Sequence, residues 1–566
     1  MDMNFSVKTY IYAAFTLLLG SCGKLDLNPL SQGSSETWNS TPEEIEMSLN
    51  GLYKADFWMM DQDEWTDDWI YRDGLTPITN ATLDGRTQFV SDWWKNTYKC
   101  IARANNIVAS VDRAANLLSQ EQRDRYVAEA RFVRASQYAR LLTHYRNIIY
   151  TETMMDIDEA MVAEQADPTM VLQKIYEDYD FAAAKLKISY GASEPKRATA
   201  GAALALKARI ALYMGDWETA KNAAKACMEL DVYRLHADFS ELFLSKTKNS
   251  IETVFGFPRS IVLNVTKGDC QNYVPRNAGG WGAKAPSWDL FCAFLCTDGL
   301  PIDESPLFDP RMPFRNRDPR CAKTIVEFQT PHLGYIYQPH PDTLTVLNVT
   351  NGTRVENRDT RSVAQYASFN GLLWKKGIDE DWLKNSWQVE PDQIIIRYAD
   401  VLLMYAEAKI ELGELDASVT EAINLVRARG YGVDLGDTQA YPAVQLSTQD
   451  QMRRIVRTER RMEFALEGIR YMDIIRWQLA EKVLNRINYG MLDVDDLRAK
   501  VINTGLWFFP QVPLIDEDGT ADFSAMYSAG QIKQIAVRKF DATRQYIWPI
   551  PTNEVLTSGL KQNPNY

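Results

Sequence analysis

The sequence predicts a mainly α-helical fold in which helical hairpins from both ends of the chain pack into one frame, interrupted by a loop-rich insert with short strands. Three observations carry this expectation. Apolar residues recur at helical spacing over 42–55, 93–119 and 121–149. A small-residue hairpin pattern occurs twice, once on each side of the middle of the chain. The stretch between the copies, about 250 to 390, is rich in Gly, Pro, Asn, Asp and aromatics and keeps no helical period.

The first 21 residues justify a different expectation. Lys8, the apolar run from Tyr10 to Leu19 and the small residues Gly20 and Ser21 before Cys22 form a secretory signal too short to span a membrane. Leu19-Gly20-Ser21-Cys22 resembles a bacterial lipobox, so residues 1–21 are expected to be removed and Cys22 to carry the lipid. More than one acyl chain is needed for stable anchoring.

Residues 22–250 are expected to form the N-terminal helical part. Within it, DQDEWTDDWIYRDGLTPITNATLDGRTQFVSD is irregular and separates the first helices. Residues 198–230, ATAGAALALKARIALYMGDWETAKNAAKACMEL, pack small alanines between two helices. Gly215 takes the left-handed conformation that closes the first helix, and Trp217 and Ala220 begin the second. This resembles a tetratricopeptide unit. The pattern returns in YADVLLMYAEAKIELGELDASVTEAINLVRARG, with Ala406 preceding Gly413 as Ala208 precedes Gly215.

Residues 251–390 form the insert, the expected ligand-binding face because long loops on a rigid frame are where binding usually lives. Residues 391–566 form the C-terminal helical part and tail. Within them ERRMEFALEGIRYMDIIRW, 459–477, reads as one helix. At about 100° per residue, Glu459, Glu463, Glu467, Arg470, Asp473 and Trp477 share one stripe, and apolar residues cover most of the rest. Spaced carboxylates also suit a glycosidase, but a walled stripe favours structural ion pairing.

Composition narrows the chemistry. A net charge of −13 over 566 residues, with no block of more than two consecutive Lys or Arg, argues against nucleic acid. Cys100, Cys227, Cys270, Cys292, Cys296 and Cys321 form no CxxC pair and are expected as small buried hydrophobes. The four histidines occur in no HExxH motif, so neither metal nor Ser-His catalysis is expected. No cofactor is expected. The acidic clusters at 61–64 and 516–519 could hold a structural calcium ion but lack the spacing of a twelve-residue loop, so none is predicted.

Several landmarks then fall into one order: the lipobox followed by LDLNP, the Trp94, Tyr98, Ile101 and Asn105 spacing, AEARFVRASQYARLLTHY, NSIETVFGF, RDPR, IIRYADVLLMYAEA, ERRMEFALEGIRYMDIIRW and the C-terminal QNPNY. Together, from Cys22 to Tyr566, they resemble the SusD/RagB family of surface lipoproteins. The family motif usually ends QNPGY, and Asn565 stands at its glycine. The resemblance implies a superhelical frame of four irregular tetratricopeptide-like hairpins bearing a loop-rich face. It also implies an outer-membrane lipoprotein facing the cell exterior, which captures glycan for a SusC-like TonB-dependent transporter without catalysis. A peptide-binding RagB-like member and, less favoured, a surface glycosidase are the alternatives.

Sugars offer flat C–H faces ringed by hydroxyls, so their sites combine exposed aromatic faces with carboxylates, amides and basic groups. The candidate ligand residues in the first irregular stretch are Trp65, Asp67, Asp68, Trp69, Tyr71 and Arg72, with Trp93 beginning the next helix. In the insert they are Trp281, Tyr335 and Tyr337, with Trp374, Trp382 and Trp387 as further aromatics. Trp58, Trp94, Trp217 and Trp477 are expected in the core.

Overall fold

The computed structural model describes residues 37–566 apart from 73, 192, 193, 195 and 196. The signal segment and Cys22 lie outside the described residues. Helix α1 spans Pro42–Asn50, where the Thr41 side chain accepts the Glu44 N–H and a proline occupies the first turn. It is followed by α2 (Gln88–Ser110), α3 (Gln120–Tyr145), α4 (Pro168–Lys185), α5 (Ala200–Tyr213) and α6 (Trp217–Glu229). A capping box of Ser119 and Gln122 starts α3. Each helix from α2 to α6 packs on its successor. Helices α7 (Tyr398–Glu411), α8 (Ala417–Tyr431) and α9 (Gln449–Phe464) continue the frame, and α6 packs directly on α7, so the helical parts join across the insert.

The repeated hairpin forms as its sequence dictates. Gly215 and Gly413 have φ of +77° and +74°, ending α5 and α7 in the left-handed region that favours glycine. Ala202, Ala205 and Ala208 of α5 are wholly buried, and their small side chains let α5 lie close to its neighbours.

Short antiparallel pairs tie the irregular segments to this frame. Strand β1 (Trp69–Tyr71) pairs with β3 (Lys284–Pro286), joining the first irregular stretch to the insert. Strand β2 (Thr253–Phe257) pairs with β8 (Gln393–Arg397), bringing together the points where the chain leaves and rejoins the helices. Strands β4 (Pro331–His332), β5 (Tyr335–Ile336), β6 (Thr345–Asn348) and β7 (Thr353–Glu356) form a four-stranded meander. The insert and the C-terminal tail share a second aromatic core that includes Trp288, Phe291, Trp374, Phe508 and Phe523. All six described cysteines are buried and unpaired.

The stretch 459–477 departs from the single helix expected of it. Helix α9 ends at Phe464, Leu466 and Gly468 adopt φ of +64° and +70°, and a short helix resumes at Arg470–Arg476. Glycine is required at the break, since a Cβ on residue 468 would stand 2.3 Å from the Asp61 carbonyl oxygen. Lys376 Nζ donates to the freed carbonyls of Glu463 and Ala465, both at 2.9 Å, so the helix end is satisfied by a side chain. The acidic residues therefore do not share one helix face.

They are nonetheless structural. Five cations (Arg320, Arg397, Arg427, Arg429, Lys376) meet five carboxylates (Asp318, Glu252, Glu459, Glu463, Glu467) in one network. Glu463 is its hub, bridging Arg397 at 2.6 Å, Arg320 at 3.0 Å and Arg429. Burial alone would raise the Glu463 pKa. The guanidiniums of Arg429, Arg397 and Arg320 outweigh it and hold the carboxyl far below the usual range. Such a set closes only with balanced charge, because an unmatched ion inside protein is costly.

Candidate functional site

The positions flagged in the irregular stretch separate into two groups. Asp67 and Asp68 are buried, ion-paired to Arg461 at 2.9 and 2.6 Å, and Asp67 also to Arg470 at 2.9 Å. They are not available to a ligand, because the buried guanidiniums of Arg461 in α9 and Arg470 after it demand partners and these aspartates supply them. Trp65 stacks on Phe89 at 5.2 Å and stands edge-on to Trp548 at 5.4 Å, while Trp93 packs on the same Trp548 at 5.1 Å. Both indoles pin their segments to the helical frame. Tyr337 is buried with its hydroxyl donating to the Gly371 carbonyl at 2.8 Å. Tyr335 is half-buried on the four-stranded meander. Trp374 and Trp382 are likewise buried, whereas Trp387 is half-buried against Gly279.

Tyr71, Arg72 and Trp281 come together on the surface. Trp281 keeps 48% of its surface exposed and Tyr366, which the sequence reading missed, keeps 53%. Arg72 donates to the carbonyls of Trp281 at 3.3 Å and Tyr366 at 2.8 Å, and its guanidinium lies 5.4 Å from the Tyr366 ring centroid. Arg276 reaches the same two carbonyls at 3.2 and 3.4 Å. Two guanidiniums thus fasten the backbone at two half-exposed aromatics, Trp281 and Tyr366. Burial first, and then the charges of Arg72 and Arg358, lower the Arg276 pKa, so three cations crowd this platform.

Tyr71 also lines the first of two hollows that share Glu64 and Trp69. A groove of about 410 Å³ is lined by Tyr71, Lys284, Glu64 and Trp69. Lys284 lies within 6 Å of the Trp69, Tyr71 and Tyr273 ring centroids and is paired with Asp269 at 2.7 Å. Glu64 and Trp69 also line a larger cavity of about 600 Å³, walled by Trp58, Trp93, Tyr273 and Trp382. Trp65 and Trp69 therefore contribute walls, although each is almost wholly buried.

The polar groups of the larger cavity are unevenly matched. Asp61 is bonded to His144 at 2.9 Å, Glu467 to Arg397 at 2.7 Å, and Asp392 to Lys248 at 3.3 Å. Asp63 accepts the Gly468 N–H at 2.9 Å, and burial pushes its carboxyl up to about 7. Lys267 sits 5.0 and 4.9 Å from the Tyr273 and Trp382 ring centroids, and burial followed by the nearby Arg259 lowers its pKa to about 8. The indole N–H groups of Trp69 and Trp382 are buried without hydrogen-bond partners. Aromatic walls with a few convergent polar groups are the ordinary make-up of a small-ligand site. No cluster among the described residues has the form of a metal site. Nor is any described helix long and apolar enough to cross a membrane.

Comparison with known proteins agrees with this architecture. Residues 260–566 match the family model described as "SusD family", and residues 26–212 match one described as "Starch-binding associating with outer membrane". A SusD-like protein of Formosa agariphila, P2, is 25% identical over 515 residues, covering 84% of this chain and 91% of that protein. A SusD-like carbohydrate binding protein from Bacteroides fragilis superposes with a TM-score of 0.75 at 25% identity, over 92% of this chain and 99% of the other. A laminarin binding SusD-like protein shares the fold at a TM-score of 0.63 and 19% identity, covering 93% and 100% of the two chains. The family model spans more than half of the chain, and its motifs lie in the buried network that joins frame to insert: this chain belongs to the SusD family.

Proposed function

We propose that the protein is a cell-surface glycan-binding lipoprotein, anchored through Cys22 to the outer membrane, that captures saccharide and passes it to a SusC-like TonB-dependent transporter without catalysis. The observation that carries this reading is the half-exposed pair Trp281 and Tyr366, clamped by Arg72 and Arg276. A half-exposed indole and phenol present apolar faces on which pyranose C–H groups stack, and the guanidiniums bound to their backbone supply donors for ring hydroxyls. The likeness to a carbohydrate binding protein of Bacteroides fragilis supports the ligand class.

A non-catalytic role is supported by the state of the carboxylates. The acids of 459–477 are locked in ion pairs, and a glycosidase needs two carboxyls roughly 5 to 10 Å apart and open to substrate. The test is isothermal titration of the protein lacking residues 1–22 against a panel of oligosaccharides and peptides, with sugar analysis of the same mixtures. The reading predicts saccharide binding that falls at least about tenfold in the Trp281→Ala, Tyr366→Ala double variant, the loss of one to two stacking contacts. Release of new reducing ends, or binding of peptides alone, contradicts it.

A further inference from the structure

Charge pairing on this face differs from that in the frame. In the helical frame several enclosed arginines meet carboxylates, Arg134 with Asp178, Arg209 with Asp400, Arg460 with Asp473 and Arg476 with Glu407, although Arg140 donates to the Phe57 carbonyl. At the platform, Arg276 and Arg358 form no ion pair among the described residues; the Arg276 side chain donates to the carbonyls of Trp281 and Tyr366, and its backbone N–H donates to the Asp359 carboxylate at 2.6 Å. In the large cavity, the Arg259 side chain donates to the Pro391 carbonyl at 3.3 Å and the Gln393 side-chain oxygen at 2.7 Å, while its backbone N–H donates to the Asp392 carboxylate at 3.2 Å. Lys267 meets aromatic rings and no carboxylate. These four cations stand on a chain whose net charge is −13; at the same cavity Asp61, Glu467 and Asp392 have cationic partners, while Asp63 accepts the Gly468 N–H and has no ion-pair partner among the described residues. Arg358 is exposed, whereas Arg276, Arg259 and Lys267 are half-buried; desolvating a cation without an ion-pair partner is unfavourable, a cost that an incoming anion would relieve.

Resting on the glycan-binding reading above, we infer that the saccharide is anionic, its carboxylate or sulfate groups met by Arg276 and Arg358 at the platform and by Arg259 and Lys267 in the cavity. The aromatic walls take the sugar faces and the cations take the charged substituents. Guanidinium geometry suits both carboxylate and sulfate oxygens. At about 600 Å³ the cavity has room for the end of a chain rather than a whole polysaccharide.

The test compares oligogalacturonates, sulfated galactan oligosaccharides and neutral cello- or malto-oligosaccharides of equal length, by calorimetry at two salt concentrations. The variants are Arg358→Gln at the exposed platform and Lys267→Met in the cavity, with Lys267→Arg as the charge-keeping control and thermal melts to confirm folding. One acidic class is expected to bind at least about tenfold tighter than the neutral oligomers, as charge-assisted hydrogen bonds do relative to neutral ones. That preference should shrink in Arg358→Gln, shrink further in Lys267→Met, and return in Lys267→Arg. Which acidic class binds separates carboxylate from sulfate. Equal binding of neutral and acidic oligomers overturns the inference and leaves the glycan-binding reading intact, whereas binding of no saccharide overturns both. Tighter binding of peptides through their C-terminal carboxylates also overturns it. A preference unchanged in folded Lys267→Met removes the cavity from the proposal.

Discussion

Glu463→Gln isolates what the buried network contributes. The substitution keeps shape and removes one negative charge, leaving five cations against Asp318, Glu252, Glu459 and Glu467. Arg320, Arg397 and Arg429 all lose their shared partner, and the Glu463 side chain is wholly inaccessible to solvent, so water cannot replace it. Breaking a buried pair from one side costs about 3–5 kcal/mol, and the hub position places Glu463→Gln at the upper end. The contrast is Glu177→Gln, whose pair with Lys174 lies in solvent and whose loss should leave the urea midpoint unchanged. Urea unfolding followed by fluorescence and circular dichroism measures both. Linkage gives a second readout: the folded-state pKa of Glu463 is depressed, so its contribution is full above the ordinary glutamate range and is lost as pH falls below about 4.5. The wild type should lose its advantage over the variant in that acid window. Unchanged stability, or loss of saccharide binding by a variant as stable as wild type, refutes the structural assignment.

The remaining predictions concern single residues. Tyr337→Phe removes one buried hydrogen bond and should cost about 1 kcal/mol without altering saccharide affinity; a changed affinity would return Tyr337 to the binding face. Trp65→Ala empties a packed aromatic cluster and should cost about 3–5 kcal/mol, seen as a lowered unfolding midpoint. Gly413→Ala places a Cβ at φ +74° with no neighbour within 4 Å, so backbone strain alone sets a loss of about 1–2 kcal/mol, and Gly413→Asn should lose less. Affinity for acidic oligosaccharides should fall between pH 6 and 9. Asp63, raised to about 7, becomes an anion, and Lys267, lowered to about 8, loses its charge. The other groups around Lys267 are Arg259, which stays charged, Asp269, and the Cys270 thiol, raised to about 11 by burial. A flat profile across that window contradicts the cavity assignment.

The frame was legible because it is written in local periods. Alanine spacing and the glycines at 215 and 413 specify helix, end and return within about thirty residues, and the structure follows them. The family motifs were visible for a physical reason that only the structure supplies. NSIETVFGF contributes Glu252, RDPR contributes Asp318 and Arg320, IIRYADVLL contributes Arg397, and ERRMEFALEG contributes Glu459, Glu463 and Glu467. These motifs are the pieces of one charge-balanced core.

Two things were not legible. The break at 465–469 follows a continuous apolar pattern, and its cause is remote: Asp61 crowding Gly468, and Lys376 capping the helix end. A glycine inside the pattern was its only local mark. The platform was half visible, since Trp281 in GGWG and Tyr71-Arg72 drew notice. Tyr366 lies 294 residues from Arg72 and meets it only in the folded chain. Asp67 and Asp68 were misassigned because an acidic residue beside tryptophans looks the same whether it faces a sugar or an arginine. The deciding partners, Arg461 and Arg470, lie almost 400 residues away.

The most direct test of the glycan-binding face is calorimetric titration of the wild type and the Trp281→Ala, Tyr366→Ala double variant with the tightest-binding oligosaccharide found in the panel. The account predicts measurable binding by the wild type, at least a tenfold loss in a variant that melts as the wild type does, and unaltered saccharide recovered from both mixtures. Full affinity in the double variant, or shortened saccharide after incubation with the wild type, would contradict it.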